Sequence, residues 1–152
     1  MDKPKFVYVT YIRTTQQKLW DALTKPEFTR QFFMGTWQDC TWEKGASWKM
    51  IRDNGEVTDR GEVLEIDPPN RIVLAWTNAF RPELKEETPS RMTYLLENMG
   101  DAMKLTVIHE SNTPGSKLIE AVSGGWPLIL SSLKSFLESG TPLPESLKPC
   151  KV

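Results

Sequence analysis

The spacing of apolar residues changes twice along the chain, and each change marks a boundary between kinds of secondary structure. The N-terminal stretch "KFVYVTYIRTT" is rich in β-branched and aromatic residues, which predicts a strand. Thr14 or Thr15 can cap a helix, and in "TQQKLWDALTKPEFTRQFF" the apolar residues have a helical spacing that stops before Pro26 and then resumes. The sequence therefore predicts one strand followed by a pair of short helices.

A period of two replaces the helical period between residues 35 and 110. The turn signals "EKGAS", "RDNGE", "DPPN" and "ENMGD", and a longer loop "NAFRPELKEETPS", divide this region. Short turns between consecutive strands indicate an antiparallel meander, and with the first strand the sheet has about seven members and curls. The predicted strands cover about residues 37–42, 47–52, 57–66, 71–77, 91–98 and 102–110.

A helical period returns in the last long element, from Ser116 to Gly140. Its apolar residues form one broad stripe that must lie on another apolar surface. Gly124, Gly125 and Pro127 interrupt this helix, so we expect it to kink or restart there, either to follow a twisted sheet or to shape the entrance of a cavity. The stripe consists of Leu118, Val122, Trp126, Ile129, Leu130, Leu133, Phe136 and Leu137.

Together these elements predict an α+β domain in which a curved antiparallel sheet wraps around the long C-terminal helix. The two short helices lie between the first two strands and close one end. We assign residues 1–140 to this single domain and residues 141–152, "TPLPESLKPCKV", to an extended proline-rich tail.

Composition and charge argue against several classes of partner. The formal net charge is -1 and no block of like charge occurs, which disfavours nucleic acid and anionic membranes. The longest apolar run, "WPLIL", is far too short to span a bilayer, and the N-terminus has no signal-peptide pattern, so a cytoplasmic location is predicted. Cys40 and Cys150 fit a reducing compartment better than a disulfide.

Five stretches carry a family resemblance: "LWDALTKPEFTRQFF", "EKGASWKM", "DNGEVTDRGEVLEIDPPNRIVLAW", "MKLTVIHES" and "GGWPLILSSLKSFLE". In this order they resemble the START-like superfamily (SRPBCC, Bet v I-like), which has a helix-grip fold. In particular, they are similar to the C-terminal domain of the activator of the heat-shock-protein-ninety ATPase. The sequence departs from the family pattern at Ala46 and Trp48, and in the apolar "LIL" after Pro127. The resemblance implies a hydrophobic cavity between the concave sheet face and the long helix, in which members bind apolar molecules.

Alternation along the strands predicts which side chains face such a cavity, because residues two apart share a face. His109 and Tyr94 are the candidate catalytic residues, since imidazole titrates near neutrality and a phenol can orient a carbonyl group. For both, the alternative is a buried side chain with its hydrogen bonds satisfied by the protein. The predicted ligand-binding residues are Trp48, Met50, Leu74, Trp76, Met92, Tyr94, Val107, His109, Trp126, Leu130 and Leu133.

Other chemistry finds little support in the sequence. A thiolate pair of Cys40 with His109 is the alternative to Cys40 as a small strand residue, which we favour. The acidic residues of one strand are predicted to form its solvated face: Asp59, Glu62, Glu65 and Asp67. One histidine and two distant cysteines lack the spacing of a metal site, and no phosphate-binding glycine motif occurs, so no metal or cofactor is expected.

Three functions fit these observations. The first is a cytosolic binding module that encloses a small hydrophobic or aromatic ligand between the sheet and the C-terminal helix. The second is a co-chaperone-like domain that regulates a heat-shock chaperone ATPase, although the named activator also depends on a separate N-terminal domain. The third is a metal-free cyclase, dehydratase or hydrolase that uses His109 and Tyr94, assisted by Asn78 or Arg81. A monomer and a homodimer are both compatible with the sequence.

Overall fold

The computed structural model describes residues 3–144 of the 152-residue chain. Within that range the chain forms one antiparallel sheet of seven strands, a pair of helices after the first strand and a long last helix. The predicted α+β class and helix grip are confirmed. In chain order the elements are β1 (Lys5–Ile12), α1 (Gln16–Thr24), α2 (Pro26–Phe32), β2 (Thr36–Asp39), β3 (Ser47–Arg52), β4 (Val57–Asp67), β5 (Arg71–Asn78), α3 (Pro82–Lys85), β6 (Ser90–Asn98), β7 (Met103–Glu110) and α4 (Lys117–Ser139).

Neighbouring strands of the sheet are also neighbours in sequence, with one exception. From β2 to β7 each strand pairs with the next, and β1 pairs with β7, so β1 and β2 form the two edges. The strands lie where the alternation predicts them, although β2 ends at Asp39 instead of near residue 42. The loop before β6 contains the unpredicted helix α3, which Pro82 opens because its φ is already helical.

Helix α4 is continuous through its glycines and its proline. Ser116 caps it by accepting a hydrogen bond from the N–H of Ile119 at 3.1 Å, and Gly140 ends it with a φ of 82°. Pro127 lacks the N–H that would reach the carbonyl of Ser123, but apolar residues on both sides of it are buried against the sheet. The expected restart does not occur, because burial of most of the stripe outweighs one lost hydrogen bond. None of the helices within residues 3–144 is long and apolar enough to cross a membrane.

Gly61 in β4 allows two indoles to meet across the middle of the sheet. It lies opposite Trp48 on β3 and Trp76 on β5. A Cβ at this position would lie 1.7 Å from the carbonyl oxygen of Ala75, so no other residue fits without a backbone shift. With no side chain between them, the two indole rings approach to 4.5 Å between centroids.

The described part of the predicted tail turns back along α4. The N–H of Leu143 donates to Ser132 Oγ at 3.1 Å, and the Ser135 hydroxyl donates to the carbonyl of Thr141 at 2.6 Å. The rest of the tail, including Cys150, lies outside the described residues. The division of the chain at residue 140 therefore stays a prediction.

Candidate functional site

Five aromatic side chains fill the centre of the concave face. Trp48, Trp76, Tyr94, His109 and Trp126 are each 4% exposed or less. The ring centroids lie 4.5 Å apart for Trp48 and Trp76, 5.8 Å for Trp76 and Trp126, and 5.9 Å for Tyr94 and Trp126. We call these five residues the central aromatic cluster. Its rings are in contact, as in a close-packed core, so the middle of the space between helix and sheet is closed.

Hydrogen bonds within the cluster fix the tautomer of His109. The indole N–H of Trp126 donates to Nδ1 at 3.1 Å, so Nδ1 carries no proton. Ser90 Oγ lies 2.8 Å from Nε2 and gives its own proton to the carbonyl of Trp76 at 2.8 Å. The network therefore assigns the imidazole proton to Nε2, which donates to Ser90. Both ring nitrogens are engaged within the protein.

Burial also determines the charge of the two candidate catalytic residues. Desolvation lowers the pKa of His109 to about 3, so its imidazole is neutral at physiological pH. Burial raises the pKa of the Tyr94 phenol, which keeps its proton. Neither side chain lines the open pocket that the structure contains. The geometry gives neither residue a direct contact with a ligand in that pocket.

An open pocket of about 110 Å³ lies beside the central aromatic cluster, between α4 and the ends of β3, β4 and β5. The α3 loop and the segment after α2 complete its wall. This volume is smaller than that of a drug-sized site and suits a single ring or a short branched chain. The apolar part of the wall consists of Phe33, Met34, Met50, Trp76, Phe80, Leu84, Leu118, Ala121, Val122, Gly125, Trp126 and Ile129.

Asp59 brings a carboxyl group to this largely apolar pocket. It lies on β4 opposite Met50 and Asn78, on the inward face that it shares with Gly61. Its Oδ2 accepts hydrogen bonds from the indole N–H of Trp76 at 2.8 Å and from the amide of Asn78 at 3.4 Å. Burial raises the pKa of Asp59, because the hydrogen bonds that stabilise its charged form do not cancel the cost of desolvation.

Two arginines form the rim of the pocket, and each is paired with a glutamate. Arg52 Nη1 lies 3.0 Å from Glu56 Oε1, and Arg81 Nε donates to Glu83 Oε1 at 2.6 Å. The two arginine side chains are 30% and 33% exposed. The Arg52 guanidinium also lies over the ring of Phe80, 4.2 Å from its centroid. Both guanidinium groups therefore already have carboxylate partners, and the charge of Arg52 also lowers the pKa of Asp59.

Two neighbouring glycines of α4 differ in what they face. Gly125 is buried and lines the pocket, whereas Gly124 is exposed and does not line it. A Cβ at either position would meet no atom within 4 Å. The missing side chain at Gly125 therefore helps to keep the pocket open, while the next residue, Trp126, fills the adjoining space with an indole.

The structure separates the predicted ligand-binding residues into two groups. Met50, Trp76 and Trp126 line the pocket, and so do Asn78 and Arg81 from the loop region. A ligand contact for any of them stays a prediction. The others face inward, as the alternation predicts, but are packed in the core away from the pocket: Trp48, Leu74, Met92, Tyr94, Val107, His109, Leu130 and Leu133.

Asp59 lines the pocket, so the prediction that it belongs to the solvated face of its strand is wrong. The prediction groups it with the other acidic residues of its strand as solvated. Asp59, Gly61 and Val63 are two residues apart along β4 and therefore share one face of the sheet. Val63 is buried, so the alternation itself places Asp59 inward. A register shift between Val63 and Glu65 puts Glu65 on the outer face instead.

Cys40 provides no reactive thiolate. Its half-buried Sγ accepts a hydrogen bond from the N–H of Trp42 at 3.2 Å, and burial raises the pKa of the thiol. His109, its possible partner, already uses both ring nitrogens. In the described part of the chain, no group of three or more His, Cys, Asp or Glu side chains is arranged to hold a metal ion.

The sequence matches a known family over most of its length. Residues 13–138 match the model of the family described as activator of Hsp90 ATPase homolog 1-like protein. The chain belongs to this family. A search among curated proteins found no match.

Solved structures share the fold of this activator-homolog chain. CalU16 from Micromonospora echinospora is 17% identical, with a TM-score of 0.72 over 91% of this chain and 78% of that one. The Aha1 dimer from Colwellia psychrerythraea is 17% identical, with a TM-score of 0.70 over 90% and 97%. PFC0360w, an HSP90 activator from Plasmodium falciparum, is 19% identical, with a TM-score of 0.71 over 88% and 95%. At these identities the likeness shows the fold alone.

Proposed function

We propose that this member of the activator-homolog family is a binding module that encloses a small, mainly apolar molecule in the pocket beside Gly125. The observation that carries the proposal is an open apolar pocket next to a core that the protein fills with its own rings. The apolar side chains that line this pocket have no packed neighbours on the pocket side, so they make fewer van der Waals contacts than side chains in the core. A ligand supplies those partners, and its binding stabilises the folded state.

The wall of the pocket limits the shape of the ligand. Trp76 presents aromatic surface from the sheet, and Leu118, Val122 and Trp126 present aliphatic and aromatic surface from one face of α4. A single ring or a short branched chain fills a space of about 110 Å³. Any larger part of the ligand extends past Phe80, which is 37% exposed at the rim.

The test is to fill the pocket from α4 and measure the loss of binding. Toluene serves as the probe, and its binding to the wild-type protein is followed by ligand-observed NMR. Gly125→Met places a side chain in the pocket, whereas Gly124→Met places the same side chain in solvent one residue earlier. Both variants gain helix propensity equally, so any stability change common to both cancels in the comparison.

We expect toluene to bind the wild-type protein and the Gly124→Met variant alike, and the Gly125→Met variant at least about tenfold more weakly. Equal binding to all three proteins, or no binding to the wild type, would contradict the proposal. Native mass spectrometry of the same three proteins, purified from cells, then identifies the natural ligand as a mass that Gly125→Met alone lacks.

A second candidate function is regulation of a heat-shock chaperone ATPase through protein contacts. The family description supports it, and so does one structural neighbour, PFC0360w, which is an HSP90 activator. A specific feature of this chain also favours it, because Val7, Val9 and Tyr11 form an apolar row on the edge strand β1 and are 49%, 42% and 52% exposed. Exposed apolar rows of this kind are typical of contact surfaces.

The ATPase rate of the chaperone separates this candidate from the first. If the row on β1 contacts the chaperone, the wild-type protein stimulates ATP hydrolysis and the double variant Val7→Lys, Val9→Lys does not, while Gly125→Met stimulates normally. Sedimentation of the same double variant shows whether the row instead joins two copies of this chain. An enzyme that uses His109 and Tyr94 is not supported by the geometry, because neither residue lines the pocket.

A further inference from the structure

The wall of the pocket contains one carboxyl group, and a purely apolar ligand leaves part of its capacity to accept hydrogen bonds unused. Among the described residues that line the pocket, Asp59 is the only one with a carboxyl group. It faces the pocket because it stands on the inward side of β4, between Met50 on one neighbouring strand and Asn78 on the other. The carboxyl group is thus part of the binding surface and not of the solvated outer face.

Neutral donors form the hydrogen bonds that orient this carboxyl group from the protein side, and the charge of Arg52 acts on it as well. Oδ2 receives the indole N–H of Trp76 at 2.8 Å and the amide of Asn78 at 3.4 Å. A carboxylate accepts about four hydrogen bonds, so these two donors and the neighbouring Thr58 hydroxyl do not exhaust its capacity. A carboxylate that is taken out of water with its remaining capacity unused is costly, which a ligand that donates to it offsets.

The arginines of the rim do not turn the pocket into an anion site. Arg81 is bonded to Glu83 within its own loop, and Arg52 is paired with Glu56 and stacked on Phe80. The charge of Arg52 also acts on Asp59, whose pKa it lowers, so part of the arginine charge is already balanced by carboxyl groups of the protein. An anionic ligand group inside the pocket would instead approach the carboxyl group of Asp59, with which it repels or competes for donors.

We infer that the ligand presents a hydrogen-bond donor, a hydroxyl or a protonated amine, to Asp59 while its ring or short chain occupies the apolar wall formed by Leu118, Val122 and Trp126. This inference rests on the proposed binding function and narrows its ligand class. It predicts that small carboxylates and phosphates bind this pocket more weakly than neutral or cationic ligands of the same size.

Four probes with one ring and different head groups test this inference: toluene, benzyl alcohol, benzylamine and benzoate. Dissociation constants are measured on the wild-type protein near neutral pH, so no variant has to fold. We expect benzyl alcohol and benzylamine to bind roughly tenfold more tightly than toluene, because one hydrogen bond to a charged acceptor contributes on that scale. Benzoate is expected to bind most weakly of the four.

Asp59→Asn adds a second readout, with its melting curve as the folding control. The amide oxygen still accepts from an alcohol but no longer attracts a cation, so benzylamine should lose about tenfold in affinity and benzyl alcohol should lose little. Benzoate binding as tightly as benzylamine on the wild type would overturn the inference. If none of the four probes binds in a way that Gly125→Met blocks, the proposed function fails as well, so the two failures are distinguishable.

Discussion

Two adjacent regions of the concave face are built from the same kinds of residue, but one is closed and the other is open. In the central aromatic cluster, Trp126 reaches down from α4 and meets Trp76 and His109. One residue earlier in α4, Gly125 has no side chain, and the space beneath it is the pocket. Aromatic composition therefore does not decide whether the space between the sheet and α4 is open or closed. In these two regions the difference is the size of the α4 residue that faces the sheet, which is glycine at 125 and tryptophan at 126.

The closed region depends most strongly on Gly61, which gives the largest predicted effect. Gly61→Ala would place a Cβ 1.7 Å from the carbonyl oxygen of Ala75 and separate the strands that bring Trp48 and Trp76 together. We expect the free energy of unfolding in urea to fall by more than about 3 kcal/mol, the upper range for overpacked sites. Gly124→Ala is the control, because its methyl group enters open space.

The Gly124→Ala control shows how a glycine substitution changes the free energy of unfolding where the added methyl group meets no steric clash. We expect Gly124→Ala to raise the free energy of unfolding by up to about 1 kcal/mol, as alanine favours a helix over glycine. If Gly61→Ala costs no more than an ordinary surface substitution, the close contact across Gly61 is not a requirement of the closed region.

The buried histidine gives the closed region a specific pH dependence. In the unfolded chain His109 binds a proton below its ordinary pKa of 6.5, whereas in the folded protein it does so only near pH 3. The unfolded state therefore binds more protons in this window, and the free energy of unfolding falls as the pH falls. Between about pH 7 and about pH 5 this residue should lower stability by about 2 kcal/mol.

Comparing urea unfolding of the wild-type protein with that of His109→Gln isolates this contribution. The variant is expected to be less stable at neutral pH, because glutamine cannot reproduce both bonds to Ser90 and Trp126, but to lose the slope above pH 5. An equal slope in both proteins would mean that His109 is protonated, or reachable by water, in the folded state.

The open region should respond weakly to changes at its rim. Phe80 is 37% exposed and its ring is covered on one face by Arg52, so little packing is lost when it is truncated. Phe80→Ala is expected to change the free energy of unfolding by less than about 1 kcal/mol, the range of an exposed cation–π contact. A larger loss in thermal or urea unfolding would show that the rim belongs to the core.

The sequence predicts much of this fold because its patterns are local. Alternation along β6 and β7 correctly turns Met92, Tyr94, Val107 and His109 inward, since each strand reads with a period of two. The apolar stripe of α4 is also predicted from a local pattern, since its residues recur every three or four positions. Alternation along β4 also predicts that Asp59 points inward, provided that it is grouped with Gly61 and Val63, which lie two and four residues further on. Grouping it with the nearby acidic residues gives the wrong face.

The open or closed state of the cavity lies beyond these local patterns. It depends on how far each ring reaches across from a facing element, as when Trp126 donates to His109 at 3.1 Å. That distance follows from the curvature of the sheet and the position of α4, which no short window of sequence specifies. The predicted lining residues in the centre, such as Leu74 and Leu133, accordingly belong to the packed core.

One measurement tests the contrast between the two regions most directly. In NMR spectra of the toluene complex, intermolecular NOEs identify the methyl groups that touch the probe. We predict NOEs to Met34, Leu118 and Val122, which line the pocket, and none to Met92 or Val107, which are packed in the core. NOEs to Met92 and Val107 would contradict the account, because they would show that the centre of the helix grip opens to a ligand.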